Sequence, residues 1–139
     1  MVRHSRSSGR SARDRGAAAV EFAIVLPILL LIVFGIIDFG RLLNAQITLT
    51  QAAREGARLA AVGQPNVVSR TQAAAGRLSP VTVTVTSCAV GAGPTANAVV
   101  SVSYPFSFVT PIGAISAEFG GGVGGSLTLT AQGVMPCET

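Results

Sequence analysis

The sequence predicts an α+β fold, in which a long N-terminal transmembrane helix continues into an exported part with a short helix and a small antiparallel sheet. Three observations predict this fold. Residues 17–37 form an apolar run with a single charge, residues 38–62 keep a helical spacing of apolar side chains, and residues 81–132 contain segments in which apolar and hydroxyl side chains alternate. Because helices repeat about every 3.6 residues and strands every 2, the change in period marks the passage from helix to sheet.

The chain begins with a basic leader, residues 1–16, which is predicted to be disordered and cytoplasmic. Its charged residues are Arg3, Arg6, Arg10, Arg13, Arg15 and Asp14, so it carries the whole formal net charge of +4. Serine, glycine and arginine without apolar periodicity predict disorder. Positive charge next to a membrane span stays in the cytoplasm, which places everything after Ile37 outside. Since this topology accounts for the basic residues, no nucleic-acid partner is predicted.

The apolar run over residues 17–37 predicts one transmembrane helix, with the lipid bilayer as its partner. Its length matches the roughly 20 residues that cross a hydrocarbon core. A secretory signal peptide would have an apolar core of about 7–15 residues and then a small-x-small cleavage site, which is missing after Ile37. Glu21 is the only charge in the run. A carboxylate there is costly, so it either has a function or extends to the cytoplasmic interface.

Residues 38–63 predict a continuation of the same helix beyond the membrane. One stripe of mainly small apolar residues has helical spacing: Leu42, Ala45, Leu49, Ala52, Gly56 and Ala60. Small residues let another backbone approach closely. The stripe therefore packs either against the protein's own sheet or against neighbouring copies, and its spacing fits both. The sequence Gly63-Gln64-Pro65 predicts the end of the helix.

The remaining residues, 64–139, predict a small α/β domain with a three- or four-stranded sheet. Its predicted elements are a short helix over 67–78, strands over 81–86, 98–104 and 126–132, and a turn at Pro111-Ile112-Gly113. Pro105 is expected to end the second strand. The glycine-rich stretch 120–125 lacks the Lys-Ser/Thr of a phosphate-binding loop and predicts a flexible connector.

The side chains beyond the leader argue against most catalytic and metal sites. The chain has no lysine, and its one histidine is His4 in the leader. Histidine is a frequent general base and metal ligand, so neither an enzyme, a metal site nor a cofactor is predicted. Cys88 and Cys137 both lie in the exported part, where oxidising conditions favour a disulfide. Two unpaired buried thiols are the alternative.

Several N-terminal segments resemble the TadE-like family of tight-adherence (Tad/Flp-type) pilus systems. They are residues 15–23, 26–27, 35–41 and 52–58. The resemblance implies a pilin-like fold and a prepilin signal, in which a prepilin peptidase cuts after Gly16 and leaves Ala17 as the new N-terminus. It also implies that Glu21 and Phe22, at the fifth and sixth mature positions, act in assembly.

The function implied by this resemblance is that of a minor pseudopilin in assembly of a type IVb Flp pilus, because major Flp-type pilins are shorter and lack such a sheet. The implied partners are the prepilin peptidase and other pilins or pseudopilins, in a hetero-oligomeric assembly. The implied location is the cytoplasmic (inner) membrane or a surface pilus. The alternative is a single-pass signal-anchored protein that keeps its leader and binds a cell-envelope ligand or partner through its exported domain.

Overall fold

The computed structural model describes residues 10–89, 91, 93, 95–110 and 126–137. The chain divides into two compact units, Met1–Ile37 and Asp38–Thr139. The elements in chain order are α1 (Arg10–Ala61), α2 (Val67–Ala74), β1 (Thr82–Thr86), β2 (Asn97–Phe106) and β3 (Leu127–Pro136). A long helix, a short helix and an antiparallel sheet confirm the predicted α+β class. The predicted turn at Pro111 and the glycine connector over 120–125 lie outside the described residues.

Helix α1 begins at Arg10, which corrects the expectation of a disordered leader for residues 10–16. A helix that is already nucleated gains one hydrogen bond for each added residue, and arginine and alanine are good helix formers. The apolar helix therefore extends back into the basic leader, whose residues 1–9 lie outside the described part of the chain. Within α1, the stretch Gly16–Ala61 contains a window long and apolar enough to cross a membrane, and none of that window is buried.

Helix α1 ends at Ala61, two residues before the predicted glycine, Gly63. Gly63 has a positive φ of 64°, its N–H donates to the Ala60 carbonyl over 3.3 Å, and the Gln64 N–H donates to the Leu59 carbonyl over 3.0 Å. This pair of bonds is the Schellman motif, which satisfies the last carbonyls of a helix and reverses the chain. The Gly63-Gln64-Pro65 stop is thus confirmed.

Helix α2 spans eight residues and ends four residues earlier than the predicted 67–78. The reason is Gly76, whose φ is +63° and whose N–H donates to the Ala73 carbonyl over 3.1 Å. A glycine in the left-handed region ends a helix at little steric cost. The chain then passes to β1 without a further helical turn.

The three strands form an antiparallel sheet in the order β1-β2-β3. Ser101 in the central strand pairs with Thr84 on one side and with Gln132 on the other. β2 continues past Pro105, which corrects the expected end of this strand. Beyond Ser103, the last β2 residue paired with β1, the strand has a neighbour on one side only. A proline is tolerated there because its missing N–H can face the open side.

One face of the sheet and one face of α1 enclose the core of the second unit. The buried β2 side chains Val100 and Val102 are 0% and 1% exposed and lie on the same face, because alternate residues of a strand share a face. The helix contributes Leu49, which is 0% exposed, and the sheet end contributes Phe106, which is 2% exposed. The core therefore lies between the sheet and residues 45–61 of the helix.

Candidate functional site

The predicted processing and assembly residues all lie on the surface of α1. Gly16 is inside the helix rather than at its start, and no atom lies within 4 Å of the position that a Cβ on it would take. Ala17 and Glu21 are exposed, and Phe22 is 63% exposed. Ala17 and Glu21 are four residues apart, so they share one face of the helix.

The rest of the apolar run presents large side chains to its surroundings. The exposed ones are Val20, Ile24, Val25, Ile28, Leu29, Leu30, Leu31, Ile32, Val33, Ile36 and Ile37. A water-soluble helix buries one such face, whereas a helix that is apolar on all sides fits a lipid environment. This helix therefore supports single-pass membrane anchoring of the chain.

The predicted packing stripe lies against the protein's own sheet. Its six members are Leu42, Ala45, Leu49, Ala52, Gly56 and Ala60, of which Leu42 is half-buried and the others are buried. Ala45, Leu49 and Ala60 belong to the same cluster as the β2 and β3 core residues. Of the two predicted partners for the stripe, these three residues contact the protein's own sheet.

Two glycines bring the helix into close contact with its neighbours. A Cβ on Gly56 would lie 3.0 Å from Val100 Cγ1 and 3.3 Å from Thr71 Cγ2, and it would clash with the Thr71 hydroxyl. A Cβ on Gly133, in β3, would lie 2.6 Å from the carbonyl carbon of Ala53 and would clash with its oxygen. The absence of a side chain at both positions is what allows α1 to lie this close to the sheet and to α2.

A second group of interacting residues surrounds Asp38, the first residue after the predicted membrane span. Asp38 is 3% exposed. Its Oδ1 accepts from the Val109 N–H over 3.2 Å and from Arg41 Nη1 over 3.3 Å. Its Oδ2 accepts from the Thr110 N–H over 3.3 Å and from the Thr110 hydroxyl. One carboxylate thus joins α1 to the segment that follows β2.

Arg41 and two phenylalanines reinforce this junction. The Arg41 guanidinium carbon lies 5.2 Å from the centre of the Phe106 ring, a cation–π distance. Arg41 Nη1 also donates to the Ser107 carbonyl over 3.4 Å. The Phe108 ring meets Phe106 edge to face, with 5.5 Å between the ring centres. The segment over 106–110 is therefore fixed to the helix by charge, hydrogen bonds and aromatic packing.

These contacts hold the pKa of the Asp38 carboxyl below its usual range. The hydroxyl of Thr110, which donates to the carboxylate, is the largest cause. Burial acts in the opposite direction, because it disfavours a charge. The backbone N–H groups of Val109 and Thr110 and the Arg41 guanidinium then add to the effect of the hydroxyl. Asp38 is consequently a carboxylate at neutral pH.

A disulfide joins Cys88, just after β1, to Cys137, just after β3. The two Cα atoms are 5.8 Å apart. The Cys137 N–H donates to the carbonyl of Ala96, the residue that precedes β2. The disulfide therefore links the two outer strands across the beginning of the central one.

The described residues also contain an open groove between α2 and the end of β1. Its lining combines three valines, Val67, Val68 and Val85, with the amides and hydroxyls of Gln64, Asn66, Ser69, Gln72 and Ser87. The groove therefore offers apolar surface and hydrogen bonds but no charge. Across the described residues, no group of three or more His, Cys, Asp or Glu side chains is placed to hold a metal ion.

Sequence reasoning missed the roles of Asp38 and Gly133. The spacing of Asp38 and Arg41 predicts a local ion pair, because residues three apart are neighbours on a helix. No comparable signal links Asp38 to Thr110, which lies 72 residues further along the chain. A glycine among alternating residues is a known sign of close backbone approach, but the predicted third strand stopped one residue before Gly133.

Comparison with known proteins relates part of the chain to a protein family. Residues 16–58 match the model of a family described as TadE-like protein. The match begins at Gly16, contains Glu21, Asp38 and Arg41, and ends near the end of α1, before α2 and the sheet. No curated protein and no solved structure matches the chain. Residues 16–58 are therefore TadE-like, and the predicted resemblance to this family of Tad pilus systems is confirmed.

Proposed function

We propose that this chain is a minor pseudopilin that takes part in assembly of a type IVb Flp (tight-adherence) pilus. The observation that carries the proposal is the family match, which begins at Gly16, where the basic leader ends and the apolar run begins. A prepilin peptidase cuts after Gly16 and removes the leader on the cytoplasmic side. Residues 17–37 then anchor the chain in the cytoplasmic membrane, and the second unit lies outside.

Cleavage gives Glu21 a partner. It creates an ammonium group at Ala17, about 6 Å from Glu21 along the helix axis at 1.5 Å per residue. In apolar surroundings a lone carboxylate and a lone ammonium are each costly, and they attract each other strongly. During assembly the ammonium of one subunit pairs with Glu21 of a neighbouring pilin or pseudopilin. The exposed ring of Phe22, next to Glu21, adds an apolar contact to that interface.

The burial of the packing stripe narrows the surface that neighbouring subunits can use. Ala45, Leu49 and Ala60 of the stripe already belong to the core that lies against the sheet. The large exposed side chains of residues 17–37 supply apolar surface for neighbours once the chain leaves the lipid. This division supports an assembly that proceeds through the first part of α1, with the second unit on the outside.

N-terminal sequencing of the membrane fraction tests the processing step. In cells with an active prepilin peptidase, the chain is expected to begin at Ala17, and in cells without the peptidase it keeps its leader. In the peptidase-positive strain, Gly16→Leu should block cleavage, whereas Gly40→Leu, at another exposed glycine of α1, should leave cleavage intact. An uncleaved wild-type chain in peptidase-positive cells contradicts the proposal and favours the signal-anchored alternative.

Glu21→Gln tests the assembly step, because it removes the charge and keeps the shape. The variant is expected to insert and to be cleaved, but not to copurify with other pilus components or support pilus formation. Glu55→Gln is the matched control, since Glu55 is an exposed carboxylate in the same helix. Normal pili with Glu21→Gln would remove the assigned role of Glu21.

A further inference from the structure

The second unit exposes apolar side chains next to Asp38 that the proposed fibre role does not use. Phe39, one residue after Asp38, is 61% exposed. Val109, whose N–H donates to Asp38, is 72% exposed. Both residues are tied to Asp38, Phe39 by the chain and Val109 by a hydrogen bond over 3.2 Å.

The exposure of Val109 is not that of a loose loop. Its own N–H and that of Thr110 are both bonded to the Asp38 carboxylate, over 3.2 and 3.3 Å. On the other side, the Phe108 ring packs on Phe106, which is 2% exposed. The residues on both sides of Val109 are therefore fixed, and its side chain is held outward in one place.

Chain connectivity fixes the depth of this place relative to the membrane. Asp38 follows Ile37, the last residue of the run predicted to cross the hydrocarbon core. Consecutive Cα atoms are 3.8 Å apart, so Asp38 lies at the edge of that core whatever the orientation of the second unit. The headgroup layer on each side of the core is about 5–7 Å thick. A backbone nitrogen bonded directly to the Asp38 carboxylate is thus at the level of the headgroups.

We propose that residues 107–110 form a second contact with the bilayer, in which the Val109 side chain inserts between the phospholipids. Asp38 acts as the positioning residue, since it holds the segment at the depth of the lipid interface. Arg41 lies at the same junction with 42% of its side chain exposed, and its cation suits lipid phosphate groups. The contact restricts how the second unit can tilt on its anchor.

This contact depends on the membrane-spanning role of residues 17–37, but not on cleavage after Gly16 or on assembly. It also differs from the anchor itself, because it is made by the connection after β2. Either orientation of the chain in the membrane leaves the depth argument unchanged.

Depth-dependent fluorescence quenching tests the contact. The chain contains no tryptophan, so one introduced tryptophan reports on its own position alone. The full chain with Val109→Trp is reconstituted into phosphatidylcholine vesicles whose acyl chains carry bromine near the headgroup. Bromine quenches tryptophan only on close approach, so we expect at least a twofold loss of emission relative to unbrominated vesicles. Adding Thr110→Val, which removes the hydroxyl donor to Asp38, should partly restore the emission.

Two variants serve as controls. Phe39→Trp should be quenched in every case, because Phe39 directly follows the end of the span, and it verifies insertion. Val68→Trp should not be quenched. Val68 is 44% exposed on α2, which contacts α1 at Gly56, about 27 Å along the helix from Asp38.

The outcomes distinguish the bilayer contact from a protein partner at this surface and from a second unit that lies flat on the lipid. Unquenched Val109→Trp together with quenched Phe39→Trp overturns the contact and leaves a protein partner as the occupant of this surface. Equal quenching of Val68→Trp and Val109→Trp also overturns it, since the whole unit would then lie flat on the lipid. None of these readouts requires the peptidase or a pilus, so a failed pseudopilin role would leave them unchanged.

Discussion

The two parts of helix α1 differ in the size of their side chains and in what surrounds them. Residues 17–37 carry large aliphatic groups, such as Ile24 and Leu31, which are 65% and 47% exposed. Residues 38–61 place small residues such as Ala53 and Gly56 against the sheet, where they are buried. Bulky side chains suit fluid lipid, whereas small ones suit contact with rigid backbone. Side-chain size, more than helical period, therefore distinguishes the two environments of one helix.

Removal of the disulfide should cause the largest loss of stability, and this loss should be confined to the second unit. The bond closes a loop with a sequence separation of 49 residues, for which the chain-entropy relation gives about 4 kcal/mol. Cys88→Ala combined with Cys137→Ala should lower the free energy of unfolding by that amount, measured by urea titration of the full chain in detergent micelles. The helical circular dichroism of residues 17–37 should survive the transition. Loss of all helical signal in a single step would contradict the separation of the two regions.

The same leucine truncation in both regions tests the comparison most directly. Leu49 is 0% exposed and Leu31 is 47% exposed. Leu49→Ala should lower the free energy of unfolding of the second unit by about 2–5 kcal/mol, because it leaves a cavity in a packed core. Leu31→Ala should change it by less than about 0.5 kcal/mol. The measurement is the urea midpoint of unfolding of each variant relative to wild type. Equal shifts for the two variants would contradict the difference in environment between the two parts of α1.

Alanine substitution at two glycines, one in each part of α1, should give a smaller difference in stability. Gly56→Ala places a methyl group against Val100 and the buried Thr71, so we expect a loss of about 1–3 kcal/mol. Gly35→Ala meets no atom within 4 Å and should leave the stability of the second unit unchanged. Thermal unfolding of both variants is the measurement. A stable Gly56→Ala would show that the helix can move away from the sheet.

The smallest expected effect is a change in pH dependence. The pKa of Asp38 is lowered in the folded protein, mainly by the Thr110 hydroxyl. Its stabilisation is therefore present above the unfolded-state pKa of about 3.9 and is lost as the pH falls through the lower folded-state value. Urea midpoints measured from about pH 6 down to about pH 2 should therefore fall less in Asp38→Asn than in the wild type. Glu55→Gln is the control. Identical pH profiles for the wild type and Asp38→Asn would show that ionised Asp38 does not stabilise the fold.

The sequence was most informative where a local pattern favours one kind of structure. The apolar run predicts a helix, the alternation of valine and threonine predicts a strand, and Gly63 predicts a helix end. All three features are found. The extent of elements was harder to predict. The helix extends back to Arg10 and α2 ends early at Gly76, because propagation and a left-handed glycine override composition and periodicity.

The junction around Asp38 was beyond the reach of the sequence for a different reason. Val109 and Thr110 are separated from Asp38 by more than 70 residues, and a hydrogen bond between such positions has no local pattern. The close approach of Gly133 to Ala53 also depends on where β3 crosses the helix. Local patterns predict which residues form an element, whereas the contacts between distant elements arise from the packing itself.

The disulfide has a mechanical consequence. Cys88 and Cys137 enclose a sequence separation of 49 residues. Tension between the two ends of the chain passes directly through the sulfur atoms, so β2 and β3 carry no load through their own backbone. At about 3.3–3.6 Å per extended residue, the closed loop withholds about 160–180 Å of length from a chain under force. When a subunit is pulled by its N-terminal helix, that helix would separate from the sheet, while the loop that contains β2 and β3 stays closed.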